Sequence, residues 1–257
     1  MNDSANLPPE PKKPIFKLNI TVVIVVLTIF TVLVLLTLPT ILRQGSRRIA
    51  LKLSSMNNLR NIGVAVVNYS SGPDSNMPIG TTKDLQGKPL HGWMTAVIPF
   101  LDQVWLAQQI NYEKPWNDPG NQNVFRTNIP EFINPAIDQI TNSKGYALAH
   151  YSANSRLIGS KKSYSLDEVS NADGLANTIM LGEINSNFPA WGSTSNFRDP
   201  ARGLNGAPDQ FGSPYKGSVN VIFADGSGRS LSKNIDPQIL KALSTPNGGE
   251  PITGQDY

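Results

Sequence analysis

Two histidines, His91 and His150, and a set of carboxylates among turns, Asp173, Glu183, Asp199, Asp209 and Asp225, are the side chains whose types could support chemistry. Calcium takes oxygen ligands from loops of this kind, which makes Asp173 and Asp225 candidate cation ligands. The same residues stand in Asp173-Gly174 and Asp225-Gly226, which are turn sequences in their own right, and both readings stand at this point. The histidines lie far apart in sequence and are expected in loops or on the surface. With no cysteine, the chain offers too few nitrogen and sulfur donors for a zinc centre. No cofactor is expected.

Catalytic patterns are missing. There is no Gly-x-Ser-x-Gly elbow, no phosphate-binding Gly-Lys-Ser/Thr loop, no dinucleotide glycine fingerprint and no His-Glu-x-x-His. The remaining lead is aromatic. Trp116, Trp191, Phe197, Phe211 and Tyr215 sit in segments rich in Gly, Asn, Pro and Ser, where a surface ring can stack on a sugar or anchor a protein contact. Rings that plug long loops look the same in sequence, so Trp116, Trp191 and Phe211 are candidates for ligand contact or for core.

The element that must position everything else is the run Leu18 to Leu38, which carries no charge and is interrupted only by Asn19, Thr21, Thr28, Thr31 and Thr37. A bilayer core needs roughly 20 apolar helical residues, so residues 18–38 read as a transmembrane helix and the lipid bilayer as the first partner. A secretory signal has an apolar region of only about 7–15 residues and a small-x-small cleavage site, which Leu38-Pro39-Thr40-Ile41-Leu42 does not supply. Residues 1–17 are polar and proline-rich and read as a disordered cytoplasmic tail. Lys12, Lys13 and Lys17 before the run nearly balance Arg43, Arg47, Arg48 and Lys52 after it. The long C-terminal part is expected outside a bacterial cell membrane on a single-pass anchor.

Beyond Pro39, the apolar residues Ile49, Leu53, Met56, Leu59, Ile62, Val66 and Tyr69 recur at helical spacing, predicting an amphipathic helix over 39–70 that continues the anchor and stops at Ser71-Gly72-Pro73-Asp74. Residues 71–257 read as one α+β domain. Asp102 to Ile110 reads as a short helix with Val104, Leu106 and Ile110 inward, and Asn117 to Gly120 as a turn. Ser165 and Glu168 have capping-box spacing, and Thr178 to Leu181 reads as a strand before a long loop from Asn185 to Pro214. Val219, Val221 and Phe223, then Asp225-Gly226, then Arg229 to Leu231 read as a hairpin with a two-residue type I′ turn. Asp236-Pro237 opens a last helix through about Leu243. The net charge of +3, with much of the excess beside the anchor, points to anionic headgroups and implies no nucleic acid.

Several stretches together resemble a bacterial family of pseudopilin-like proteins of uncharacterised function, similar to type IV pilins and type II secretion pseudopilins. These are Asn57 to Gly63, Trp93 to Leu101, Asp173-Gly174 with Asn177 to Glu183, and Phe197 to Pro200 through Asn234 to Asp236. The resemblance implies a pilin-like fold, a long N-terminal helix packed on an antiparallel sheet with long loops. It also implies other pilin-like subunits or envelope assembly proteins as partners.

Three positions depart from the family pattern. The family has a cleavage glycine and an anchor glutamate where this chain has Ile15 and Ile20, and a motif histidine ten residues before the Asp of Asp-Gly where it has Tyr215. The histidine's titration is therefore not carried over to the Tyr215, Asp225, Gly226 motif. The residues and the resemblance together lead to two expectations: a non-catalytic structural or interaction subunit of a secretion or pilus-like assembly, or an anchored receptor for a polysaccharide or other extracellular ligand.

Overall fold

The computed structural model describes residues 20–73, 75–159, 162–215, 217–252 and 254, without the side chains of 37–44. The tail at 1–17 and Ile15 lie outside the described residues. Helix α1 spans Ile20–Ser70, and its end at Ser70 agrees with the stop signal. Among the described residues no helix is long and apolar enough to cross a membrane; the described side chains of the apolar run end at Leu36. Two compact units divide the chain at Arg48 and Ile49. In the first, the threonines behave as expected of hydroxyls in an apolar helix: Thr28 and Thr31 donate to the carbonyls of Ile24 and Leu27 at 2.8 Å.

The second unit is α+β. Strands β1 (Thr81–Lys83) and β2 (Pro89–Gly92) form a hairpin, followed by α2 (Trp93–Val97), α3 (Val104–Ala107) and α4 (Gln122–Phe125). Then come β3 (Tyr151–Asn154), α5 (Leu166–Asn171), β4 (Ile179–Glu183), β5 (Phe197–Arg198), β6 (Ser218–Phe223), β7 (Gly228–Ser232) and α6 (Pro237–Ser244). The main sheet has the order β5-β3-β4-β6-β7. The expectation of an antiparallel sheet is corrected at one edge, where β5 runs parallel to β3. The long loop after Asn185 supplies that strand, because a two-residue strand carries too short a pattern to be read from sequence.

Strand β6 shows how the layers are set. Val219, Val221 and Phe223 face Leu240 and Leu243 of α6, whereas Ile222 belongs to the cluster that holds Leu59, Ile62 and Val66 of α1. Both faces of this interior strand are therefore covered by helices, and period-two alternation sends apolar residues to each. Gly63 permits the close approach on the α1 side, since a Cβ there would meet Ile222 Cγ2 at 2.7 Å.

Local chemistry matches expectation at several ends. Ser165 and Glu168 form the reciprocal capping box on α5. Asp236 accepts from the backbone of Gln238 and Ile239 at the start of α6, and Asp118 caps the short 3-10 turn Pro119–Asn121. Three expectations are corrected. Val104 is exposed, because α3 is one turn long and only Leu106 and Ala107 reach the core. Ile49 and Leu53 are 63% and 60% exposed, so the buried stripe of α1 begins at Ser55. The β6–β7 turn is a three-residue loop rather than a type I′ pair. Phe223 N–H donates to Ser227 O and Gly226 N–H to Phe223 O, and only Gly226 takes a positive φ, 82°.

Candidate functional site

A row of polar side chains crosses the sheet beneath α1. A register shift in β4 between Ile179 and Leu181 re-aims the strand: Ile179 joins the α6 side while Leu181 joins the α1 side. Glu183, two residues on from Leu181, therefore points at the helix. Tyr151 of β3 stands directly opposite it, and Asn220 of β6 flanks it on the other side.

Glu183 is fully buried. Its carboxylate accepts from Ser55 Oγ at 2.5 Å, from Asn220 Nδ2 at 3.0 Å, from the Asn220 backbone N–H at 3.1 Å and from Asn134 Nδ2 at 3.4 Å, and the Ser213 side chain bonds it as well. Ser55 gives its proton to Glu183, so the Tyr151 hydroxyl, 3.0 Å away, donates to Ser55 Oγ. Burial pushes the Glu183 pKa up, while the bonds from Ser55, Asn220 and Ser213 pull it down. Burial foremost, with the Glu183 charge beside it, raises that of Tyr151.

His150 closes the network behind Asn134. Its Nδ1 accepts the Asn134 N–H at 3.0 Å, and its Nε2 lies 2.8 Å from the Gln139 carbonyl. One ring nitrogen must accept while the other donates, which only the neutral imidazole with its proton on Nε2 can do. Burial lowers the pKa in the same sense.

The network's geometry suits mechanical joining. No atom of Glu183 reaches solvent, and its partners come from α1, β3, β6 and the segment holding Asn134. Asn220 also donates to the Lys52 carbonyl, and Lys52 Nζ donates to Ser218 Oγ at 2.7 Å. Helix and sheet are thus tied at Lys52 and Ser55, one turn of α1 apart.

The residues singled out in sequence do not converge on this centre. Asp173 accepts the backbone N–H groups of Gly248 and Gly249, each at 2.7 Å, and so fastens the C-terminal segment. Asp225 accepts the Ser227 N–H within its turn. Asp199 pairs with Arg156 at 2.8 Å and Asp209 with Arg202. Among the described residues no group of three or more metal-ligating side chains gathers. Tyr215 is buried; it accepts Ser218 N–H at its carbonyl and lies two residues from Ser213.

Of the two readings for the loop rings, Trp191 and Phe211 take the core one. Trp191 is fully buried 4.2 Å from Phe125 and donates to the Thr127 carbonyl, and Phe211 packs onto Gly182. Trp116 is half-buried against Tyr146. Loop rings reach the core because this domain has few regular elements to fill it. Of the histidines expected in loops or on the surface, His150 does lie in a loop, next to β3, but it is buried, and His91 is buried in β2 beside Tyr112 and Phe125. Ser55, Tyr151, Asn134 and Asn220 escaped sequence reading. The available signal was Ser55 at the spacing of Leu59, Ile62 and Val66, a polar residue on the buried stripe.

The model of the family described as "Protein of unknown function (DUF1559)" matches residues 42–207. No curated protein and no solved structure matches the chain. The matched stretch takes in the second half of α1, β1 to β5 and Ser55, Asn134, Tyr151 and Glu183 of the buried centre, though not Ser213 or Asn220, and since it covers well over half of the sequence, the chain belongs to the DUF1559 family.

Proposed function

We propose that the protein is a membrane-anchored, pilin-like, non-catalytic subunit that makes structural or interaction contacts in a bacterial envelope assembly of secretion or pilus type. One observation carries this reading. From Ile20 to Leu36 the side chains of α1 are apolar but for Thr21, Thr28 and Thr31, and exposed on almost every side. A helix apolar all round needs an apolar medium all round, and the bilayer core is one. The full apolar run from Leu18 to Leu38 in the sequence has the required length.

Beyond the membrane, α1 from Ser55 onward becomes the spine of the α+β unit. The Glu183 network makes that junction rigid, as suits a subunit that transmits position rather than turns over substrate. In spheroplasts from the native cell, external protease is expected to degrade residues 71–257 and spare a fragment containing residues 18–38. In the same membranes, amine-reactive crosslinking should give bands larger than the monomer. Full protection of the domain would reverse the orientation, and monomer alone at every crosslinker dose would remove the assembly role.

A second reading, an anchored receptor, rests on a cleft of about 740 Å³ lined by Ile79, Thr81, Thr82, Lys83, Pro89 and Thr194. Its volume is in the range of small-ligand sites. Saturable binding of a polysaccharide on a glycan array, lost on Lys83→Glu, would favour it.

A further inference from the structure

The chain contains the dipeptide Asn-Gly at Asn205-Gly206 and again at Asn247-Gly248. This pair is open to internal attack: with no Cβ on the glycine, its backbone nitrogen can close on the side-chain carbon of the asparagine. The structure treats the two pairs in opposite ways.

At Asn205 both groups are pinned. Asn205 Oδ1 accepts the Ser213 N–H at 2.7 Å, and the Gly206 N–H donates to Gln210 Oε1 at 2.7 Å, a neutral amide oxygen and a poor base. Asn247 is exposed, and among the described residues its side chain has no hydrogen-bond partner. The Gly248 N–H, by contrast, faces a base. It donates to Asp173 Oδ2 at 2.7 Å, and the Gly249 N–H donates to Oδ1 of the same carboxylate at 2.7 Å. Two charge-assisted bonds hold the Gly248 peptide plane in place. Attack uses the face of that plane, whereas the N–H lies within it, so a base on the N–H leaves the approach to Asn247 open.

We propose that Asn247 is a self-modifying site, converted to aspartate and isoaspartate with Asp173 as the base, and that the conversion releases the segment after α6. The Gly248 nitrogen passes its proton to the Asp173 carboxylate as it bonds to Asn247 Cγ. The Cγ–Nδ2 bond then breaks, and the proton returns from Asp173 to the departing ammonia. Water opens the cyclic imide at Cγ to give aspartate, or at the backbone carbonyl carbon to give isoaspartate. In sum, asparagine and water become a carboxyl group and ammonia, with no redox step.

The product acts on the fastening that formed it. Beyond Asp173, the segment is held where Asn177 Nδ2 donates to the Ile252 carbonyl at 3.4 Å and where Ile252 packs on the apolar cluster of β6 and α6. Gly248 is also hemmed in, since a Cβ there would run into Glu250 Oε2 and Thr245 Oγ1. A carboxylate at 247 joins those of Asp173 and Glu250 around one glycine, and like charges so placed repel. Isoaspartate further adds a methylene to the main chain, which carries Gly248 and Gly249 off the Asp173 oxygens. The site operates whether or not the chain assembles with others.

The test incubates the purified full chain in detergent micelles at neutral pH and follows both Asn-Gly pairs by peptide mapping and mass spectrometry. Asn247 is expected to convert about tenfold or more faster than Asn205, and about tenfold or more faster than the same pair in a free peptide of residues 245–252. Asp173→Asn should slow Asn247 about tenfold or more, while Asp173→Glu, which keeps a carboxylate, should stay closer to the unaltered chain. In Asn247→Asp, hydrogen exchange at the Gly248 and Gly249 amides should rise about tenfold or more with exchange in β4 and β6 unchanged. A carboxylate that only fastened the segment would shield the pair, so faster conversion in Asp173→Asn overturns the proposal. Conversion no faster than in the free peptide overturns it as well, a comparison that needs no variant to fold. Unchanged exchange in Asn247→Asp overturns the release.

Discussion

Glu183→Ala is expected to destabilise the full chain in detergent micelles by about 3–5 kcal/mol, measured by chemical denaturation. The change strands the donors of Ser55, Asn134 and Asn220 around a buried void. Each orphaned buried donor costs about 1–3 kcal/mol, reduced where the site relaxes. Glu183→Gln keeps the volume but puts a donor where an acceptor is needed, and the smaller loss of about 1–3 kcal/mol follows.

The pH dependence separates these variants. Burial raises the Glu183 pKa in the folded protein above its unfolded value, so the folded state binds that proton more tightly. Stability from this group is therefore greatest below the ordinary glutamate range and falls as pH rises towards the folded value. Glu183→Gln removes that slope. His91 and His150, whose pKa values burial lowers, add a slope of opposite sign, with stability lost as pH falls below about 6.5. A loss of stability with rising pH that survives in Glu183→Gln would show that another group carries it.

Gly63 is the second sensitive point. In most helix interiors, glycine to alanine stabilises by about 1 kcal/mol. Here the new Cβ meets Ile222 Cγ2 at 2.7 Å, and Ile222 is fully buried in a central strand with a stiff, β-branched side chain. Gly63→Ala should therefore destabilise by about 1–3 kcal/mol, and Gly63→Leu by more, since the helix must lift off the sheet. In an Ile222→Ala background the sign should reverse, with Gly63→Ala becoming neutral or stabilising by about 1 kcal/mol. The same loss in both backgrounds would mean that the helix does not approach the sheet at this point.

What could be read from the sequence was what is decided locally. The Ser165 box, the Asp236 cap and the stop after Ser70 satisfy backbone groups within a few residues, and a few residues suffice to see them. The β6–β7 hairpin was legible for the same reason. Its turn type was not, because Asp225-Gly226 fits two loop lengths and the register of flanking pairs decides between them.

The Glu183 centre was hidden by distance. Ser55 and Glu183 lie 128 positions apart, and a bulge inside β4 sets which face Glu183 takes. In sequence that glutamate looked like one more loop carboxylate. Trp191 and Phe211 were ambiguous for a related reason: a ring in a glycine-rich segment reaches solvent or core according to how the loop folds back. Exposed Ile49 and Leu53 show the converse, apolar spacing that continues beyond the surface available to cover it.

The anchor is tested most directly by alkaline carbonate extraction of native membranes that contain the full chain. The protein should stay in the membrane pellet, and a variant with Val25→Lys and Leu33→Lys together should move to the supernatant with its α+β unit still folded. Release of the unaltered chain by carbonate would contradict a membrane-embedded helix and, with it, the proposed anchored subunit.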